Sequence, residues 1–530
     1  MSIGTRSTQE VREALIARRE IALLDVREED PHAQAHPLFA ANLPLSLLDL
    51  DAYARLPRRN VPIVVLDDGE GLAPRAAERL VQLGYTDVSL LDGGLAGWRA
   101  AGGEIFRDVN VPSKSFGELV ESVRHTPSLS AEEVQALIDS KADVVVVDAR
   151  RFDEYNTMSI PSGISVPGAE LALRIRDIAP NPATRVIVNC AGRTRSIIGT
   201  QSLVNNEIPN PVSALRNGTI GWTLAGQKLE HGQQRRFGEV SADNHQVAAH
   251  KARSLADRAG VLRASLGKLE RWRAETERSL YLFDVRTPEE YAAGHLPGFL
   301  STPGGQLVQE TEMVAPVRGA RIVLVDTDGV RANMTASWLA QMNWDVHVLD
   351  EVNAALFNVT GASPRSLPDE ADVTSVATVG AGKLATWLDK GEAVVVDLGP
   401  SAQYVKRHVP GAWFVLRSQL AEGIQRVRKA PRVVLTSTDP ELACFAARDL
   451  KASGGHQDVH VLEGGNAAWF AAGLPTESGE ARLASPRIDR YRRPYEGTDN
   501  AAEAMQAYLD WEYGLVEQLG RDGTHGFRVI

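Results

Sequence analysis

Residues 144–150 read VVVVDAR, and this stretch decides the fold. Four valines in a row, without polar alternation, read as a strand buried on both faces, as in a parallel sheet. The pattern recurs three times more: IALLDVR at 21–27, LYLFDVR at 280–286 and AVVVDLG at 393–399. Each is a short apolar run closed by an Asp: Asp25, Asp148, Asp284 and Asp397. A repeat of this spacing makes the chain an array of one folding unit.

Working outward, a helix-like stretch precedes the strand. Before Asp148 it is SLSAEEVQALIDSKAD, with Ser130 and Glu133 spaced as a capping box. A second apolar run follows about 40 residues after each Asp: VPIVVLDD, TRVIVNCAG, ARIVLVDTD and PRVVLTSTD. A helical pattern comes next, then a third short strand (VSLLDGG, VSALRNG, VHVLDEV, VHVLEGG). A Gly-to-Trp stretch closes three copies, at Trp98, Trp222 and Trp469; the third copy reads EVNAALF instead.

The copies span 8–106, 128–230, 262–358 and 374–477, a normal domain size. Strands alternating with helices imply an α/β fold with a mainly parallel sheet covered on both faces. The polar stretch from 233 to 260 is expected to join two pairs of domains. Residues 480–530 form a helical tail in which Met505, Tyr508, Leu509, Tyr513, Leu515 and Leu519 suit one face, so the tail should dock on a domain.

Composition sets the class. The 530 residues are 43% hydrophobic and 24% charged, the balance of an ordinary globular protein. A net charge of −11 argues against a nucleic-acid partner. Only Cys190 and Cys444 are present, which excludes a disulfide scaffold and multi-Cys zinc sites and fits a reducing compartment. There is no signal-type segment and no long apolar run, so a cytoplasmic protein without a membrane partner is expected. No Walker loop or strand-following GxGxxG occurs; neither cofactor nor metal is expected.

Ligands of open parallel sheets sit beyond the carboxyl ends of strands. At that place the second copy has Cys190, opposite Asp67, Asp326 and Ser437 in the others. The following residues are Ala191, Gly192, Arg193, Thr194, Arg195 and Ser196, leading into a helix. Free amides and the dipole at the helix start favour an anion, and Arg193 and Arg195 add positive charge. Together they are expected to lower the thiol pKa and create a reactive thiolate. Arg150, on the neighbouring strand, is a candidate substrate contact; Asp148 is read as structural, and the two are expected to pair. Cys444 lies in LACFAARDL and reads as packing. His295 and His408 recur in GHLPG and RHVPG and read as turn residues; the second copy has Ser159 there.

This layout resembles the rhodanese family. The resemblance rests on the xxVDxR strand, the Cys-led loop VNCAGRTRS and the Gly-to-Trp stretch, and the whole layout is similar to four-domain bacterial rhodanese-related sulfurtransferases. It implies four tandem domains, each with a five-stranded sheet flanked by helices. It implies that Cys190 takes a sulfur from thiosulfate or a related small anionic donor as a persulfide. A thiol, cyanide or a protein thiol would then accept it. The 191–196 amides would hold the persulfide, and Arg193 and Arg195 the sulfonate. The copies with Asp67, Asp326 and Ser437 would be inactive. Two alternatives stand beside this reading. One is a Cys-dependent phosphatase or arsenate reductase, whose related loops place an Arg where Ser196 stands here, one residue later than Arg195. The other is a sulfur-binding scaffold without catalysis.

Overall fold

The computed structural model describes residues 3–363, 365–368, 376–454 and 458–530. The expected start of the fourth copy, residue 374, lies outside them. Four sheets form, one per copy. The second sheet runs Ser128–Leu129, Val212–Leu215, Arg185–Asn189, Val144–Asp148, Ile164–Ser165, all parallel. Arg185–Asn189 is its middle strand, so Cys190 leaves the sheet at its centre. The valine run forms the expected strand; Val146 and Val147 are buried, Val144 and Val145 only half-buried, and Asp148 pairs with Asn189 across the sheet. The Ser130 capping box forms, the Glu133 amide donating to Ser130 Oγ at 3.2 Å and the Ser130 amide to Glu133 Oε2 at 2.7 Å.

The copies interlock more than the repeat alone predicts. The first sheet gains a sixth strand, Val317–Arg318 from the third copy, antiparallel to Ile21–Ala22. This blocks a sheet edge that would otherwise offer unpaired amides. A continuous core joins these copies, from Leu24 and Val65 to Phe283 and Leu324. The fourth copy sits on the first: Arg417 pairs with Asp49 at 2.8 Å, and the Ser418 hydroxyl donates to Glu28 Oε1 at 2.8 Å.

The polar stretch holds a helix, Ala242–Arg258, between the second and third copies. Ala248, Ala252 and Leu255 bury against Leu173 of the second copy and Val330 and Met334 of the third, wedging the two together. Arg331–Glu170 at 2.8 Å and a bond from Trp338 Nε1 to Ser202 Oγ at 2.9 Å complete that contact. The tail forms two helices, Ala502–Tyr513 and Leu515–Asp522. The first packs Met505, Tyr508 and Leu509 on Ala191 and Ile220; the second puts Leu515 and Leu519 into the first copy's core. No helix among the described residues is long and apolar enough to cross a membrane.

Candidate functional site

Every copy builds the same turn: the second strand ends, a short loop follows, and a helix begins. In the second copy the helix is Thr194–Asn205, whose first amides have no carbonyl one turn back. Cys190 sits below them, 1% exposed. Its thiol donates to Ser196 Oγ at 3.4 Å, and the Ser196 amide points at the sulfur. The Ser196 hydroxyl in turn donates to the Arg193 carbonyl at 2.8 Å.

The Gly-to-Trp stretch bolts this loop in place. The Thr219 amide donates to the Cys190 carbonyl at 2.9 Å, and that of Ile220 to the Ala191 carbonyl at 3.0 Å. Gly218 makes the approach possible. Its φ is +54°, and a Cβ there would lie 2.3 Å from the Cys190 carbonyl oxygen.

In the other copies the residue opposite Cys190 fills the cradle itself. The Asp67 carboxylate accepts from the amides of Gly69, Leu72 and Ala73 at 2.7–3.2 Å. Asp326 accepts from Gly329 at 2.9 Å and Ala332 at 2.7 Å. Ser437 Oγ accepts from Asp439 at 3.1 Å. In two copies the loop amides thus donate to an acidic side chain; in the third copy, burial and Asp328 push Asp326 up against the pull of its two amides.

The expected charges divide. Arg195 lies with the thiol, and its electrostatic pull on Cys190 is the strongest force opposing burial. Glu154 holds it by two bonds, 2.7 and 2.9 Å. Burial pushes the Glu154 carboxyl up, but the charge and hydrogen bonds of Arg195, joined by the charges of Arg150 and Arg151, together outweigh it and keep the group at about 2.

Arg193 turns away, contrary to the expected sulfonate role. Its Nε and Nη2 donate to Glu118 at 2.7 and 2.8 Å, it also pairs with Glu121, and Nη1 donates to Tyr513 OH at 2.9 Å. Two acids and a tail tyrosine on a neighbouring surface consume its donors, which no local pattern announces.

The expected lowering of the thiol pKa is also corrected. Burial pushes the Cys190 thiol up; Arg195 and the Ser196 bonds pull it back only in part, and Glu512 pushes it further up.

Arg150 is committed to structure. It donates to Asp148 at 2.9 and 2.7 Å and to the Met158 carbonyl at 2.6 Å. Arg27–Asp25 and Arg286–Asp284 repeat this clip in copies without a cysteine. His295 and His408 stack on Tyr291 and Tyr404, ring centres 3.8 and 3.9 Å apart, which fits turn residues. Cys444 is half-buried beside the fourth core.

The tail and the linker helix Val111–Arg124 supply walls that sequence reading missed. Gly117 of that helix lets Thr194 approach; a Cβ there would meet Thr194 Cγ2 at 2.9 Å. Lys114 is buried against Asp108 at 2.5 Å, within 5.1–5.6 Å of the Tyr495, Tyr508 and Trp511 rings. Glu512 and Tyr508 press on Gly192. The only earlier signal was the tail's apolar face, which announced docking but not its target. Outside this chamber Arg151, Glu154, Arg195, Arg490, Arg493 and Tyr495 line a cleft of about 480 Å³.

A single thiol at the centre of a parallel sheet, under free helix amides and beside an arginine, defines a sulfurtransferase-type site. The comparisons agree. A family model described as the Rhodanese-like domain matches residues 7–101, 130–225, 265–351 and 380–472, and the chain belongs to that family. A crystal structure of the thiosulfate sulfurtransferase from Pseudomonas aeruginosa is 67% identical, covers 100% of both chains and superposes with a TM-score of 0.98. The thiosulfate sulfurtransferase GlpE of Coxiella burnetii is 30% identical over 86 residues, 16% of this chain and 78% of that protein.

Proposed function

We propose that this protein is a sulfurtransferase that carries a sulfane sulfur on Cys190. The Cys190 thiolate attacks the outer sulfur of thiosulfate or a related donor. The donor's S–S bond breaks, sulfite leaves with the electron pair, and Cys190 becomes a persulfide. A thiol, cyanide or protein thiol then attacks the outer sulfur and restores the thiolate. The thiol's own proton leaves to solvent or sulfite in the first step.

The observation that carries the reading is the cradle. Four copies build it, two fill it with a carboxylate, and the second presents a thiol beside Arg195. The amides of 191–196 would stabilise the persulfide anion, and Arg195 the donor's sulfonate. Arg193, turned to Glu118, serves the walls instead. The donor would enter from the arginine-lined cleft at Arg195. Asp67 and Asp326 take three and two cradle amides for themselves and offer no thiol, so the first and third copies act as structure. The fourth, with Ser437, has no thiol to carry sulfur. Two reduced cysteines suit the cytoplasm. A short loop, with Arg195 rather than residue 196 basic, favours sulfur over phosphate.

The test is a donor panel with wild type and Cys190→Ala, read by sulfite release and by the mass of the protein. Wild type should gain one sulfur on Cys190 from thiosulfate, and the variant none. Full transfer by Cys190→Ala would remove the reading. Hydrolysis of an aryl phosphate without sulfur transfer would replace it with a phosphatase.

A further inference from the structure

The tail brings to the Cys190 loop one acid that the reaction above does not use. Glu512, on the helix Ala502–Tyr513, is 1% exposed. Its Oε1 accepts from Tyr508 OH at 2.9 Å, while its Oε2 has no hydrogen-bond partner among the described residues. That oxygen faces the turn after the cysteine: a Cβ built on Gly192 would lie 3.3 Å from it. Glycine leaves nothing between Oε2 and the loop.

The groups around it come from each packed element. The linker helix contributes Glu118 and Lys114, the loop Arg193 and Cys190, and the tail Tyr508. Both cations are committed elsewhere, Lys114 to Asp108 at 2.5 Å and Arg193 to Glu118 at 2.7 Å. A buried carboxyl without its own counter-ion holds its proton. Burial and the Glu118 charge push Glu512 up to about 8, against the pull of Lys114, the Tyr508 hydroxyl and Arg193. A neutral carboxyl has one O–H to donate. Oε1 is already accepting, so the proton belongs on Oε2, where the protein offers no acceptor. Oε2–H is thus a donor left over beside Gly192 of the Cys190 loop.

We infer that Glu512 is a specificity-determining residue for the sulfur donor: its Oε2–H donates a hydrogen bond to the small anion held at the Cys190 loop, and its carboxylate form turns that anion away. The inference rests on the sulfur-transfer reading of Cys190. No bond to sulfur forms at Glu512, and the proton stays on Oε2 through the transfer. Selection favours compact, multiply charged donors such as thiosulfate over uncharged ones.

The experiment measures KM and kcat for thiosulfate from about pH 6 to about pH 9.5, with the Cys190 persulfide followed by mass. Wild-type KM should climb about tenfold per unit once the pH passes the Glu512 midpoint, with kcat moving far less. Glu512→Gln keeps an N–H donor and cannot ionise, so its KM should stay flat. Tyr508→Phe removes the hydroxyl that supports the carboxylate, so its midpoint should move to higher pH. Thermal melts report folding, and Tyr508→Phe decides alone if Glu512→Gln does not fold. A Glu512→Gln enzyme with the wild-type slope, or a Tyr508→Phe enzyme with the wild-type midpoint, overturns the inference while persulfide still forms. Failure of wild type to form the persulfide at any pH overturns the sulfur-transfer reading beneath it.

Discussion

Gly218→Ala should cripple the site through a local displacement of the cysteine loop. Two costs can be separated. The first is backbone: φ at Gly218 is +54°, and an L-residue there costs about 1–2 kcal/mol. The second is a collision. The new Cβ would stand 2.3 Å from the Cys190 carbonyl oxygen, where ordinary contact begins at 3.4 Å, so one of them must move by about 1 Å. The Thr219 and Ile220 amides hold the stretch to that same loop, so the movement falls on Cys190. A displacement of about 1 Å at reacting atoms costs on the order of 100-fold in rate. Gly226→Ala is the control: its φ is +74° and nothing lies within 4 Å of its Cβ. Both variants carry the backbone cost, Gly218→Ala loses further thermal stability through the collision, and only Gly218→Ala should lose about 100-fold in kcat/KM for thiosulfate. Equal kcat/KM in the two variants would refute the claim that this glycine positions the cysteine.

Two further outcomes follow from the charges. Arg195→Ala removes the charge that holds the thiol down and leaves Glu154 without its partner. A charged hydrogen bond is worth about 1.5–3 kcal/mol, so kcat/KM should fall about 10- to 100-fold and the acid limb of the pH–rate profile should move to higher pH; a limb that stays put would separate Arg195 from the thiol. Glu28, buried between the first and fourth copies on Ser46 and Ser418, is pushed by burial to about 7 from 4.5. Its folded pKa is the higher one, so its stabilising effect is complete below about pH 4.5 and fades as pH rises through about 7. At about 1.4 kcal/mol per pH unit, the rise from 4.5 to about 7 comes to about 3.5 kcal/mol at most. Wild type should therefore lose more stability between pH 5 and pH 8 than Glu28→Gln, checked by paired denaturant melts; identical losses would count against it.

Much of the fold was legible because it is periodic. The VVVVDAR type of run and its spacing to the second run are local patterns repeated four times, the Gly-to-Trp stretch three times, and each formed the element it announced. Cys190 stood out for the same reason, as the one thiol at a position that copies elsewhere fill with Asp or Ser. Charges were less legible. Arg193 and Arg195 look equivalent in CAGRTRS, yet one meets Glu154 of its own domain and the other Glu118 of the linker helix. The thiol's upward shift could not be read either, because burial depends on what covers the loop.

The chain's order of residues by itself determined four α/β units, the strand-end cysteine and the anion-seeking turn, since strand burial, helix starts and glycine turns are set within short stretches. Only the tertiary structure decided which copies share a core, where the lent strand Val317–Arg318 pairs, and that the tail helix Ala502–Tyr513 packs on the Cys190 loop with Glu512. Those contacts join residues hundreds of positions apart. Their energy comes from complementary surfaces and desolvated charges, which exist only once the chain is packed.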